Sequence, residues 1–335
     1  MGKLICLLIY YIYIYIKKFF SAEKNNGEAK KPKTKYFVIL AILDILSNII
    51  IIFNAIFIYN SSSFGFLFIL IILSQIISIK LLNTEYFRHH YLAVFLSFVG
   101  LLLGEIKGIN IENRPGGYIV LGIILTIGAQ VCQSAHYVFE EKLLKEYNYS
   151  TLKTIGLEGL WGFLIYSIIL IIFQFIRCDD WSESTSEAIC FTNDEDISYI
   201  ENTIFILKQM KDNPAIFYST LIIWVGVILY NIALLTIFKY RSVVLALILI
   251  GLINYIFLFI FLITASNPKF NFLSINFHWV QIVGFIIQIL SVLIYSEILV
   301  IPFCGLGKQK HMTSQQTKNR KSLLDIGLEN IIENP

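Results

Sequence analysis

The sequence predicts an all-α, polytopic membrane helix bundle, and three observations support this fold class. Of the 335 residues 57% are hydrophobic, only 15% are charged, and the mean hydropathy is +0.72. A soluble domain carries about 25% charged residues, and a helix needs ~20 apolar residues to cross a bilayer. The apolar runs are long and lack the alternation of a barrel strand, so helices are expected to satisfy the backbone in lipid.

Nine apolar runs are long enough to be interpreted as membrane spans. The first is the weakest, because it ends in Lys17-Lys18 and no small-residue cleavage site follows it. The predicted spans are 4–20, 36–59, 62–82, 91–107, 117–139, 153–176, 214–236, 241–264 and 277–300.

The distribution of Lys and Arg predicts the orientation of the chain. Most of the 26 basic residues fall in one alternating set of connections, including 17–35, 140–153 and the tail 301–335. Cytosolic loops carry such an excess. The C-terminal tail is therefore expected to be cytosolic and disordered, and the acidic loop 177–213 is expected to be lumenal.

The five cysteines do not predict a metal site, because no CxxC and no Cys/His cluster with metal spacing is present. Cys178 and Cys190 share the predicted lumenal loop, where a disulfide and two free thiols both remain open. The sequence contains no P-loop, dinucleotide fingerprint or nucleic-acid motif. We therefore predict no cofactor, no metal and no nucleic-acid partner.

Asp44 is the first candidate site residue, because an ionisable group at membrane depth needs a partner or a purpose. It lies nine residues into the second span, which is ~13 Å from the cytosolic end at 1.5 Å per residue. The functional interpretation is a substrate, ion or proton site. The alternative is a carboxyl group that is hydrogen-bonded within the bundle.

The fifth span carries a polar stripe, with His136 beside it. The stripe follows a 4-3-4-3 spacing that places its members on one helix face, which then lines a translocation path or holds helices together. It consists of Thr126, Gln130, Gln133, Tyr137 and Glu140. Glu141 and Lys142 are expected to be a solvated helix end with snorkelling side chains.

Glu158 of the sixth span is expected either to act as a gate or coupling carboxylate or to pair with Lys142 or Lys153 at the interface. The nearby Gly156, Gly159 and Gly162 are spaced by three, which predicts the close approach of another backbone.

A second polar face on the last span contains Gln288, together with Gln281 and Ser291. Two such faces and Asp44 predict a polar cavity shared between helices. The predicted substrate-binding residues are therefore Asp44, Gln130, Gln133, Tyr137, Glu140, Glu158 and Gln288, and no catalytic residue is expected.

One set of residues lies between positions 129 and 163: Ala129-Gln130, Ala135, Glu140-Glu141-Lys142, Asn148, Gly156, Glu158-Gly159 and Trp161-Gly162-Phe163. This set resembles the F branch of solute carrier family 35, within the drug/metabolite transporter superfamily. Asp44 fits the same pattern, and the resemblance is weaker but collinear over 36–107 and 214–300.

The resemblance implies a ten-helix transporter of two inverted repeats with a central site and alternating access. Residues 1–116 would form the first repeat, lacking its first helix, and residues 117–300 the second. The missing helix leaves two expectations open, a truncated chain or a protein that works without that helix. The resemblance also implies an endomembrane location, in a lysosome, vacuole or Golgi membrane.

The stretches 64–82 and 243–264 contain no Arg, and this absence argues against a phosphate-bearing substrate. A phosphate-bearing nucleotide sugar needs cationic partners, and the expected cations lie only at the boundary: Lys80, Lys142, Lys239 and Arg241. A cation, a proton or a neutral polar metabolite suits Asp44 and Glu158 better.

The sequence therefore predicts a secondary transporter of a small polar metabolite and not an enzyme. One alternative is a non-transporting scaffold that retains the fold. Another is an intramembrane enzyme, because Glu140-Glu141 with Lys145 is similar to part of a prenyl-protease motif whose other elements are missing. The expected partners are an unidentified small solute, the lipid bilayer and a second copy of the chain.

Overall fold

The computed structural model describes residues 2–20, 34–57, 66–105, 116–147, 149–176, 191–192, 198–199, 203–265 and 279–299. The described part is almost entirely helical. Its elements, in chain order, are α1 Gly2–Phe20, α2 Thr34–Phe57, α3 Leu67–Leu82, α4 Arg88–Glu105, α5 Gly116–Glu146, α6 Thr151–Gln174, β1 Phe191–Thr192, β2 Ser198–Tyr199, α7 Thr203–Asp212, α8 Pro214–Tyr240, α9 Val243–Ala265 and α10 Trp279–Tyr295.

The predicted all-α membrane helix bundle is confirmed. Five described helices, namely α2, α5, α6, α8 and α9, are long and apolar enough to cross a membrane by length and composition, and four shorter apolar helices accompany them. Large apolar side chains point outward, for example Ile222 at 72% and Phe257 at 64% exposure. Such surfaces are tolerated when lipid is the solvent, so the chain is a multi-pass membrane protein.

Three elements, β1, β2 and α7, were not anticipated in the loop predicted to be lumenal. β1 and β2 pair antiparallel, with Phe191 opposite Tyr199, and α7 follows them. Asn213 then starts α8, because its side chain accepts a hydrogen bond from the Ala215 N–H at 3.1 Å and Pro214 occupies the first turn. Cys178, Cys190 and the tail 301–335 lie outside the described residues.

The chain divides into two compact units, one of residues 1–83 and 105–250 and the other of residues 84–104 and 251–335. These units do not follow the predicted boundary at residue 116. A compact unit is a set of residues that contact one another, whereas a repeat is a segment that shares its topology with another segment. The units therefore do not test the two inverted repeats, which stay a prediction.

In the first unit, α5 packs against α2 and α3, while α6 packs against α1 and α2. The approach of α1 to α6 is close. A Cβ at Gly156 would lie 2.7 Å from Leu7 backbone atoms, and one at Gly159 would lie 2.6 Å from the Lys3 carbonyl carbon. The predicted close approach is confirmed at these two glycines, whereas a Cβ at Gly162 would meet no described atom within 4 Å.

The second unit joins α4, the later part of α9 and α10 through polar contacts. The Tyr255 hydroxyl donates to the Gly100 carbonyl, and Ser291 Oγ donates to the Ala93 carbonyl at 2.7 Å. These two hydroxyl groups thus find partners on a neighbouring helix, as is common between helices in a membrane.

Candidate functional site

The first unit contains a group of ionisable side chains that we call the charged cluster: Lys3, Asp44, His136, Glu140 and Glu158. Four helices supply it, since α1 carries Lys3, α2 carries Asp44, α5 carries His136 and Glu140, and α6 carries Glu158. The residues come from distant parts of the sequence, so tertiary packing assembles the cluster.

Lys3 lies at the centre of the charged cluster. Its Nζ donates to Asp44 Oδ2 and to Glu158 Oε1, both at 2.8 Å. The Lys3 and Asp44 side chains are each 22% exposed, whereas the Glu158 side chain is 2% exposed. One ammonium group therefore forms ion pairs with two carboxylates that belong to different helices.

His136 connects α5 to the same carboxylate. Its Nε2 lies 2.8 Å from Glu158 Oε1 and 3.9 Å from Glu140 Oε1. His136 and Glu140 are each only 1% exposed. Within the described residues, Glu140 Oε2, Glu158 Oε2 and His136 Nδ1 have no hydrogen-bond partner. These buried groups retain unused hydrogen-bonding capacity, which a solute or a water molecule could use.

Neutral polar side chains extend the charged cluster along α2 and α5. Asn48 Nδ2 donates to Asp44 Oδ1 at 3.2 Å, and Ser47 Oγ donates to Gln133 Oε1 at 2.5 Å. Further along the same two helices, Asn54 Nδ2 donates to Thr126 Oγ1 at 2.8 Å. Two members of the polar stripe of α5, Thr126 and Gln133, therefore face α2.

The predicted site residues divide between the two units. Asp44, Glu140 and Glu158 belong to the charged cluster, and Gln133 adjoins it through Ser47. Gln130 is 8% exposed, and its Oε1 has no partner among the described residues. The Tyr137 ring packs edge-on against Phe238 at 5.5 Å.

Gln288 belongs to the second unit and is fully buried there. Its Nε2 donates to Ser97 Oγ at 3.1 Å, and a Cβ at Gly251 would lie 2.7 Å from that nitrogen. The participation of Gln288 in a chamber shared with Asp44 stays a prediction, as does substrate binding by all seven residues.

Three expectations about charged residues are corrected by the structure. Glu158 pairs with Lys3 and His136 rather than with Lys142 or Lys153. The chain's cations do not lie only at the boundary, because Lys3 reaches two carboxylates inside the bundle. Lys3 went unrecognised because its partners are 41 and 155 residues away.

The third correction concerns Glu141, which is 1% exposed and not part of a solvated helix end. Its Oε1 accepts from Lys145 Nζ at 2.5 Å, and its Oε2 accepts from the Val243 N–H at 3.2 Å. Lys145 Nζ also donates to the Arg241 carbonyl at 2.6 Å. Glu141 therefore joins the end of α5 to the start of α9 and satisfies a free N–H there.

A signal for part of the charged cluster was present in the sequence. His136 and Glu140 are four residues apart on one helix, a spacing that brings side chains together. Lys3 directly precedes an apolar run, where a cation needs a counter-ion.

Ligand atoms of Asp44, His136 and Glu158 lie within 4.8 Å of one another, a spacing that a metal ion could use. Lys3 already supplies the positive charge that binds Asp44 and Glu158. A metal ion would therefore have to displace this ammonium group.

No family model matches the chain, but curated relatives do. Solute carrier family 35 member F6 of Homo sapiens is 22% identical over 68% of this chain and 57% of its own length. The protein of the same name from Rattus norvegicus is 23% identical over 54% of this chain and 50% of its own length. The Mus musculus protein is 26% identical over 51% of this chain and 46% of its own length.

The match thus spans about half the length of these relatives, which carry the names of solute carriers rather than of enzymes. The chain is therefore a multi-pass membrane protein whose sequence is similar to members of solute carrier family 35, in agreement with the predicted resemblance.

Proposed function

We propose that the protein is a secondary transporter of a small polar metabolite, cationic or neutral, and that the charged cluster is its binding and coupling site. The observation that carries this proposal is the ammonium group of Lys3, shared at 2.8 Å by Asp44 and Glu158. Ionisable groups inside membrane proteins mark substrate paths and proton relays.

Stability alone does not account for this arrangement. Taking two ions out of water costs several kcal/mol each, and well-packed apolar residues of similar volume often replace a buried ion pair at no loss. The charged cluster contains three carboxyl groups as well as Lys3 and His136. A reason besides packing is therefore required, and solute or proton binding supplies it.

The charge balance favours a cation or a proton over an anion. When Asp44, Glu140 and Glu158 are ionised and His136 is neutral, Lys3 offsets only one of the three negative charges. A buried site avoids uncompensated charge. Protons or a cationic solute must therefore compensate the other two negative charges. A phosphate-bearing solute would instead increase the negative excess.

Alternating access gives Lys3 a role in the transport cycle. A solute with a cationic or hydrogen-bond-donating group binds Asp44 and Glu158 in place of the Lys3 ammonium, which then turns out of the site through its partly exposed side. After the solute leaves, Lys3 returns and pairs again with the two carboxylates. A binding site that exchanges counter-ions in this way couples solute movement to a change between two states.

The relatives' names support transport, and membrane-spanning helices are the setting in which it occurs. Location in a lysosomal, vacuolar or Golgi membrane with a cytosolic C-terminus is part of the same proposal. Protease protection of a C-terminal epitope in sealed vesicles tests the orientation. Cleavage of the epitope from intact, cytosol-side-out vesicles supports it, whereas protection contradicts it.

Purified protein in proteoliposomes tests the proposal with a panel of labelled amines, amino acids and neutral sugars. We expect saturable uptake of at least one compound above empty liposomes, and loss of that uptake in Asp44→Asn. Glu85→Gln is the matched control, because it also removes a carboxylate but lies outside the charged cluster. Folded protein that takes up no compound, or Asp44→Asn with unchanged uptake, contradicts transport through this site.

A scaffold is the second candidate, because the ion pairs of Lys3 also connect α1 to α2 and α6 without any solute. If the protein is a scaffold, it should still capture its partner from cells when neutral side chains replace Lys3, Asp44 and Glu158 together. A transporter with the same replacement loses uptake while remaining folded. Uptake and partner capture, measured on the same variant, therefore separate the two functions.

A further inference from the structure

Two adjacent histidines at the start of α4 and a glutamate just beyond α10 form a second group of potential ligands, independent of the proposed transport site. All three residues, His89, His90 and Glu297, belong to the second unit. Ligand atoms of the three side chains lie within 4.8 Å of one another. His89 Nε2 lies 3.3 Å from Glu297 Oε1, with the side chains 12% and 40% exposed.

The surrounding aromatic rings fix the two imidazoles. The His89 ring stacks on Phe87 with centroids 5.8 Å apart, and the His90 ring meets the edge of Tyr295 at 4.7 Å. The two imidazole centroids are 4.0 Å apart. Rigid neighbours hold potential ligands in place and reduce the entropy lost when a ligand binds.

His89 Nε2 is buried and makes no hydrogen bond to any described residue. A buried polar atom without a hydrogen bond is uncommon and calls for an explanation. Glu297 Oε1 lies 3.3 Å from this nitrogen without forming a hydrogen bond to it, so a carboxylate oxygen stands beside a buried nitrogen that has no hydrogen bond among the described residues.

Glu297 occupies a backbone conformation that glycine usually takes. Its φ is 58°, and it ends α10 with the paired hydrogen bonds of a Schellman motif. The Ile298 N–H donates to the Leu293 carbonyl, and the Glu297 N–H donates to the Ile294 carbonyl, each at 3.1 Å. A glutamate incurs a conformational cost at this position, and such costs are found most often where a side chain has a use.

We propose that His89, His90 and Glu297 form a binding site for a divalent transition metal ion of the Zn²⁺ class. Two imidazoles and one carboxylate, with water as the fourth ligand, are a ligand set that zinc accepts. Ligand atoms around tetrahedral zinc lie about 3.4 Å apart. His89 Nε2 and Glu297 Oε1 already have that spacing at 3.3 Å, and a ring nitrogen of His90 lies within 4.8 Å of a ligand atom of each, so a small movement of the side chains would complete the set.

One hydrogen bond opposes metal binding and sets the expected affinity. The Phe87 N–H donates to His90 Nδ1 at 3.1 Å, which leaves the proton of the neutral ring on Nε2. Zinc binding through Nε2 transfers that proton to Nδ1, so the Phe87 hydrogen bond must break. We therefore expect roughly micromolar affinity, weaker than that of a closed structural zinc site.

Bound metal would link the start of α4 to the end of α10. A link between two helix ends restricts their relative movement, so the site offers metal-dependent control of the second unit. This role does not depend on what the protein transports, and its failure would leave the proposed function untouched.

Full-length protein in detergent, stripped of metal with a chelator, tests the site by calorimetric titration with Zn²⁺. We expect one Zn²⁺ per chain that is lost, or bound at least tenfold more weakly, in His89→Ala and in Glu297→Gln. Glu85→Gln, which removes a carboxylate from the segment before α4, should bind as wild type. Co²⁺ should give the intense visible absorption of a tetrahedral site in wild type alone.

Glu297→Gly separates metal binding from folding. Glycine relieves the positive φ, so this variant should melt a few degrees higher without metal, yet it should lose the Zn²⁺ site. Equal Zn²⁺ affinity in wild type, His89→Ala and Glu297→Gly would mean an adventitious ion only and would overturn the proposal. Absence of Zn²⁺ binding to folded wild-type protein would overturn it as well.

Discussion

Replacement of Lys3 by Met should destabilise the protein, because it removes the cation that Asp44 and Glu158 share while keeping most of the side-chain volume. Removing one partner of a buried ion pair costs about 3–5 kcal/mol, since an uncompensated charge is left behind. Asp44 is 22% exposed and so is not fully buried, and His136 stays 2.8 Å from Glu158. We therefore expect a smaller loss than this range, about 2–3 kcal/mol.

Thermal unfolding in detergent micelles, followed by tryptophan fluorescence, measures this loss. A change of 1 kcal/mol corresponds to about 2–4 °C for a chain somewhat shorter than this one, so a Tm decrease of roughly 5–10 °C is expected. Lys211→Met is the matched control, because Lys211 is exposed at the end of α7. That variant should stay within about 0.5 kcal/mol of wild type.

The triple variant Lys3→Met, Asp44→Asn, Glu158→Gln makes the interpretation specific. No charge of the Lys3 ion pairs is then left unpaired, so stability should return to within about 1 kcal/mol of wild type. A Lys3→Met protein that melts with wild type would refute the reasoning. So would a triple variant that is less stable than Lys3→Met alone.

Three further predictions concern the packing around the charged cluster. Gly159→Val should unfold at a lower temperature than wild type, because a Cβ at Gly159 would lie 2.6 Å from the Lys3 backbone. Gly162→Val has open space at its Cβ and should melt as wild type does. Equal melting temperatures of the two variants would contradict the α1–α6 contact. Glu141→Gln should lower the free energy of unfolding by about 1–3 kcal/mol in denaturant titrations, because the charge-assisted hydrogen bonds of Glu141 are weakened. An unchanged free energy of unfolding would contradict a stabilising role for the contact between α5 and α9. Ser47→Ala should cost only ~0.6 kcal/mol by the same titration, the average for an interhelical bond in a membrane, and a loss of several kcal/mol would contradict this.

The helices could be predicted from the sequence because hydropathy is a local property. The predicted span 153–176 and the observed α6, Thr151–Gln174, differ by two residues at each end. β1, β2 and α7 were not anticipated, because a polar loop of this kind carries no strong periodic signal.

The candidate site could be predicted only in part. Asp44 and Glu158 stand out because a carboxylate within an apolar run is costly wherever it points. The pairing of Glu158 with Lys3 joins residues 155 positions apart, and no local pattern encodes such a contact. Glu141 was misinterpreted for the same reason, since its partner Val243 lies on a distant helix.

The central claim is that the charged cluster binds the transported solute, and the initial uptake rate of Glu158→Gln against Glu146→Gln tests it most directly. Both variants convert a glutamate to its amide, but Glu158 is buried beside Lys3 whereas Glu146 is exposed at the end of α5. Loss of a buried charge pair worth about 2 kcal/mol should slow uptake by Glu158→Gln roughly thirtyfold, while Glu146→Gln should transport at the wild-type rate. Equal rates for two folded variants would contradict the claim.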